Sequence, residues 1–164
     1  MEAKPLRIIV TGGTFDKAYD AIKGELTFMD THLPEILERI RLAVPVEIEL
    51  NQLIDSLQMQ EANRRSVLVA CERAVEPSLV ITHGTDTMAE TARLLGPALL
   101  PKTIVLTGAM VPYQIEGSDA LFNLGTAFAA AQLLPPGVYV SMNGRVFDWS
   151  RVVKNKAAGI FEEA

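Results

Sequence analysis

Short runs of β-branched and other apolar residues recur along the chain at positions 6–11, 46–50, 79–82, 103–107 and 138–142. Runs of this length and composition predict strands. Between them the apolar period changes. Leu33, Ile36, Leu37 and Ile40 fall at helical spacing, and Ala62, Ser66, Ala70 and Ala74 form a stripe of small residues. Segments 87–95 and 118–133 also read as helices, the second alanine-rich and suited to close packing on a sheet. Strand and helix therefore alternate almost strictly. Such alternation implies βαβ crossovers and a doubly wound α/β fold, with a mostly parallel sheet and helices on both faces. Asn143-Gly144, between two apolar runs, is a two-residue hairpin signal and predicts an antiparallel pair at the edge of that sheet.

Composition narrows the picture. With 164 residues, 49% of them apolar and 21% charged, the chain suits one ordered domain spanning 1–164. A net charge of −5 with dispersed Lys and Arg argues against nucleic acid and for a small solute. The apolar run near Met1 is too short for a signal or a membrane span, which predicts a cytoplasmic protein without a membrane partner. Cys71 is alone, and His32 and His83 are far apart in sequence, so neither a disulfide nor a Cys/His metal cage is expected. Cys71 reads as buried and inert.

Ligands of open parallel sheets bind beyond the carboxyl ends of the strands. The residues there are Thr11-Gly12-Gly13-Thr14 after the first strand, Asp55-Ser56 after the second, His83-Gly84-Thr85-Asp86-Thr87 after the third and Gly108-Ala109-Met110 after the fourth. Some of this has a local explanation: Asp55-Ser56 fits a helix cap, and Thr87 with Glu90 has the form of a capping box. Thr85 and Asp86 exceed what one helix start requires. Together the rim offers nucleophilic hydroxyls, backbone N–H groups beside glycine for an oxyanion, and a carboxylate to hold a substrate amine, the parts acyl transfer needs. A threonine hydroxyl needs a proton acceptor. His83, at a strand end, suits a packed, hydrogen-bonded role; Lys17, Tyr19, Tyr113, Lys154 and Lys156 remain as candidate bases, and spacing does not choose among them.

The Thr11–Thr14 and His83–Met88 segments together resemble the two signatures of bacterial-type L-asparaginases. The similarity continues through Gly108-Ala109-Met110-Val111-Pro112, Asp119-Ala120-Leu121-Phe122-Asn123-Leu124, Met142-Asn143 and Val146-Phe147-Asp148 to Lys154. It covers nearly the whole chain and matches the family's larger, amino-terminal, Rossmann-like domain. The resemblance implies a cofactor-free, metal-free hydrolysis of L-asparagine, or of L-glutamine, to the acid and ammonia. It places the nucleophile at Thr14 and a second catalytic cluster at Thr85, Asp86 and Lys154, with Thr85 N–H as an oxyanion donor and Asp86 also holding the substrate α-ammonium. Ser56 takes the α-carboxylate, and Asp55, Gln58, Gly84 and Gly13 line the substrate. Gln58 and Leu57 stand where periplasmic members have Asp and Gln. The family's loop tyrosine corresponds to Tyr19, here only five residues past Thr14. Typical members carry a smaller carboxy-terminal domain; its absence from these 164 residues implies a homodimer or homotetramer in which a partner completes the pocket.

Three other readings compete. Gly12-Gly13-Thr14-Phe15-Asp16 also resembles the opening of nucleotidyltransferases, but the histidines that would bind a triphosphate are missing. Neither a dinucleotide fingerprint nor a phosphate loop occurs. The third is a non-catalytic module that binds asparagine or aspartate; it would require only Ser56 and Asp86.

Overall fold

A computed structural model describes residues 3–164. Its centre is a six-stranded sheet built from β1 (Leu6–Gly12), β4 (Val46–Ile54), β5 (Ser78–Thr82), β6 (Thr103–Thr107), β7 (Gly137–Met142) and β8 (Arg145–Asp148), in the order β4-β1-β5-β6-β7-β8. All neighbours are parallel except β7 and β8. The antiparallel edge pair is joined at Asn143 and Gly144, both at positive φ (56° and 74°), as the hairpin signal predicts.

Alternation along the strands sorts the core into two layers. Ile9, Ile81, Ile104 and Leu106 face α2 (Glu61–Arg73) and α3 (Met88–Leu95), while Ile8, Val10, Val80 and Val105 face α1 (Leu33–Arg39) and α4 (Ala120–Leu133). Helix α4 buries Ala120, Ala127, Ala130 and Ala131 beside Asn123, Leu124 and Phe128, and the alanines let it lie close on the sheet. The stripe expected on α2 is displaced: Ala62 and Ser66 are exposed, and the buried face runs through Arg64, Val67, Ala70 and Cys71. Small residues tolerate burial without requiring it, so a stripe of them does not fix a helix's rotation. Burial pushes the Cys71 thiol up to about 12, which leaves it unreactive.

Two hairpins escape the alternation. β2 (Lys17–Asp20) pairs with β3 (Glu25–Phe28), and β9 (Val152–Asn155) pairs with β10 (Ile160–Glu163), each a separate two-stranded sheet. The second is stapled to the body by Val152 and Phe161, both in the core, and by the Phe161 N–H donating to Asn143 Oδ1 at 2.9 Å. Among the described residues no helix is long and apolar enough to cross a membrane.

Candidate functional site

In the sheet order, consecutive connections leave β1 on opposite sides: the chain runs from β1 to β4 at one edge, then returns past β1 to β5. The topological switch point therefore lies between β1 and β5, where open α/β sheets form a ligand crevice. The loops that follow these two strands carry the glycine- and threonine-rich segments.

Contact between the loops explains the glycines. Gly13, at φ 77°, lies so close to Gly84 and His83 that a Cβ there would strike their backbone. A Cβ on Gly84 would come within 2.5 Å of Ser56 Oγ. Three loops thus abut at Gly13, Gly84 and Ser56, and any side chain at either glycine forces them apart. Gly13 N–H donates to Ile54 O at 3.1 Å, and Phe15, wholly buried, anchors the single 3₁₀ turn Thr14–Asp16. Thr14 is half-buried at the head of that turn.

Across the crevice stand the other predicted residues. Lys154 Nζ, on β9, donates to Thr85 Oγ1 at 2.7 Å and to Asp86 Oδ1 at 2.8 Å. The lysine side chain is 10% exposed and that of Asp86 36%, so the pair is sheltered on one side and open to a solute on the other. Thr85 and Ser56 are buried. Of the candidate bases, then, Lys154 meets the rim hydroxyl; Lys17 is paired with Asp55, Lys156 is exposed, and Tyr113 accepts from Arg39 and packs 5.6 Å from the His32 ring.

Two of the predicted residues stand apart. Tyr19 is 64% exposed on β2, opposite Leu26, with no side-chain hydrogen bond among the described residues. Gln58 is exposed at the end of the turn Ser56–Gln58. Asp55 is occupied: Oδ1 accepts the Leu57 N–H at 3.0 Å, the expected cap, and Oδ2 accepts from Lys17 Nζ at 2.6 Å. The lysine bond, followed by the Leu57 N–H, holds its carboxyl below the usual range.

The capping box expected at Thr87 does not form. Thr87 is the N-cap of α3, but its hydroxyl donates to Ser56 O at 2.8 Å, and the Glu90 carboxylate pairs with Arg64 at 2.9 Å. The residue instead ties the third loop to the second. A capping box does occur at Gln60 and Asn63.

His83 is a structural residue, as its strand-end position suggests. Gly84 O, 2.8 Å from Nδ1, can only accept, so Nδ1 carries the proton and Nε2 accepts the Thr91 hydroxyl at 2.7 Å. Complete burial lowers its pKa from 6.5 to about 4, with the Arg64 charge acting in the same direction and the Gly84 bond against it. As pH falls below 6.5 the unfolded chain binds a proton that the folded chain refuses until about pH 4, so stability present above that window is lost through it. The loss attributable to His83 is on the order of 3 kcal/mol. Urea melts between pH 7 and pH 4.5 should show it, and His83→Gln, which cannot take up the proton, should flatten that part of the curve.

A scaffold of carboxylate and amides was missed as such in the sequence. Asp119 accepts the N–H groups of Met110 and Val111 and the Asn123 amide, all between 2.9 and 3.0 Å. Asn123 also donates to Gly108 O at 3.0 Å and accepts from Asn143 N at 3.3 Å. Asn143 then holds β10. This chain of bonds fastens the β6 loop, α4, the β7–β8 turn and the Lys154 hairpin together, which accounts for residues that carried similarity but no assigned role.

No cluster of His, Cys, Asp and Glu able to hold a metal occurs among the described residues. A concavity of about 460 Å³, lined by Gly96, Tyr139, Asp148 and Trp149 among others, lies at the other end of the strands and contains none of the rim residues.

The family model described as Asparaginase, N-terminal, matches residues 5–161. An L-asparaginase of Thermococcus kodakarensis is 40% identical over 84 residues, which make up 50% of this chain and 26% of that protein. A glutaminase-asparaginase of Acinetobacter glutaminasificans is 34% identical over 162 residues, 90% of this chain and 48% of that one. Among solved structures, the thermostable L-asparaginase from Thermococcus kodakarensis superposes with a TM-score of 0.87 at 30% identity, covering 97% of this chain and 51% of the other. The chain therefore spans about half the length, or less, of the relatives it matches.

Proposed function

From the premise that the chain belongs to the asparaginase family, we propose that it is an L-asparaginase, converting L-asparagine to L-aspartate and ammonia. The observation that carries this reading is the contact of Lys154 Nζ with both Thr85 Oγ1 and Asp86 Oδ1, set across the β1/β5 switch point from Thr14.

In the first step Thr14 Oγ1 bonds to the side-chain amide carbon. The hydroxyl proton passes to the amide nitrogen, the C–N bond breaks and ammonia leaves, so that the acid remains as an ester on Thr14. Water then adds to the ester carbon and the Thr14 hydroxyl is restored as aspartate departs. Thr85, Lys154 and Asp86 form the line along which the proton of that water moves. The Thr85 N–H stabilises the oxyanion of both steps. Ser56 and Asp86 hold the substrate's α-carboxylate and α-ammonium.

Ammonia release by the purified chain, from L-asparagine and separately from L-glutamine, tests this. Release from asparagine is the expected result; tight asparagine binding with no release from either amide would leave a binding module instead.

We place the protein in the cytoplasm as a homodimer or homotetramer. Support for self-association comes from apolar side chains left open beside the rim: Phe122, 62% exposed and in contact with the Gly144 position, and Met110, 38% exposed and next to Gly159. Sedimentation velocity should show a multiple of the 17.9 kDa chain; a monomer with full activity would defeat this part.

A further inference from the structure

Two charged residues follow Thr14 within three positions, and both are spent inside the chain. Asp16 is completely buried; its Oδ1 accepts the Thr31 hydroxyl at 3.0 Å and the His32 N–H at 2.9 Å. The other oxygen, Oδ2, and the imidazole Nε2 of His32 are both buried without a hydrogen-bond partner among the described residues. Burial pushes the Asp16 carboxyl up, and the His32 N–H and Thr31 hydroxyl pull it back. Lys17 reaches the other way, to Asp55, which caps the turn that bears Ser56.

Helix capping alone does not account for Asp16. The Leu33 N–H at the start of α1 already has the Thr31 hydroxyl at 3.3 Å, so a local residue serves the helix. A buried carboxylate from fifteen residues upstream adds something else at a desolvation cost. What it joins is the neck of the β2–β3 hairpin, because Asp16 precedes β2 and Thr31 and His32 follow β3. The turn Thr14–Asp16 is thereby held on one side to α1 and, through Lys17, on the other to the Ser56 turn.

We propose that Asp16 and Lys17 are positioning residues for Thr14, Asp16 fixing the turn that aims the hydroxyl and Lys17 fixing its separation from Ser56. The proposal rests on Thr14 being the nucleophile. Neither side chain is required to touch substrate. Loss of Asp16 should misaim the attack and leave binding nearly intact, whereas loss of Lys17 should free the Ser56 turn and weaken binding.

The experiment combines kinetics with amide hydrogen exchange on wild type, Asp16→Ala, Asp16→Asn and Lys17→Met. Asp16→Ala should lower kcat by about 30-fold with KM little changed, since misplacement of roughly 1 Å costs up to about a hundredfold. Asp16→Asn keeps an oxygen acceptor for the same two donors and should recover most of that loss. Lys17→Met should raise KM by about tenfold with kcat nearly kept. Exchange should quicken at Asp16 and His32 in Asp16→Ala and at Leu57 and Gln58 in Lys17→Met. A lowered melting temperature with unchanged kcat and KM per folded site would overturn the proposal, as would an Asn variant as impaired as the Ala variant. Unchanged exchange would overturn it too, even if wild type releases no ammonia; that last outcome would count against the asparaginase reading separately.

Discussion

Thr14→Ala is expected to reduce ammonia release from L-asparagine by about 10⁴-fold or more while leaving the fold intact. The size follows from the step removed. In the proposed mechanism no acyl-enzyme forms without the hydroxyl, and what remains is polarisation of the amide by the Thr85 N–H and binding of the substrate's two charged ends. The fold should survive because the turn is anchored by Phe15 in the core and by Gly13 O accepting from Asp16 N at 3.2 Å, while Thr14 itself is half-buried. Ammonia assay and far-ultraviolet circular dichroism together check it. The identity of the nucleophile is decided by a second variant, Thr85→Ala: mass spectrometry of quenched reactions should find the acyl adduct on Thr14 in this variant and in wild type. An adduct carried on Thr85 in the wild type would reverse the roles of the two threonines.

Lys154→Met is the second large effect, a fall in kcat of about 10²- to 10³-fold. Methionine preserves most of the stem but removes the group that bridges Thr85 and Asp86 at 2.7 and 2.8 Å. Thr85 Oγ1 then loses its cationic partner, and Asp86 becomes a carboxylate facing the crevice without its counter-ion. KM should move less than kcat, because the contact proposed for the substrate α-carboxylate at Ser56 is left in place. Lys154→Arg should rescue poorly, since a planar guanidinium cannot occupy the place of a tetrahedral ammonium between two oxygens so close to it. Stopped assays for kcat and KM on both variants, with substrate binding by calorimetry, would separate the outcomes. Retention of wild-type kcat in Lys154→Met would remove the lysine from the chemistry and leave the trio as a structural ion pair.

The central sheet was readable because its inner strands β5 and β6 are buried on both faces and show as short runs of Val, Ile and Leu, while the edge strand β4 shows by alternation of Val46, Ile48 and Leu50 with Glu47 and Glu49. Helices were readable wherever one face had to be large and apolar, as with Leu33 and Ile36 in α1. The hairpins β2–β3 and β9–β10 were not: their segments alternate weakly and carry many polar residues, since each packs against the body through only a few side chains such as Ala18, Val152 and Phe161. For the site, the glycine loops could be located from strand ends, but chemistry alone left five candidate bases open. Only family resemblance pointed to Lys154, and its sequence distance from Thr85 shows why. The parts played by Asp16, in a turn, and Asn123, on a helix, are not legible because a buried polar residue looks, in one dimension, like any solvated one. Thr87 was misread for the converse reason: its local pattern suits a cap, and the acceptor that outcompetes the cap, Ser56 O, lies 31 residues away.

The hydrogen bond between Lys154 and Thr85 closes a loop of 69 residues. In the order in which a ribosome delivers the chain, the threonine turns emerge well before the lysine. A nascent chain that has emerged only through β8 holds every strand of the main sheet and both threonine loops, yet has no lysine to bridge Thr85 and Asp86. The proposed Lys154–Thr85–Asp86 trio is thus assembled only when the β9–β10 hairpin docks through Phe161 and Asn143, so that completing the site and sealing the core are one folding step.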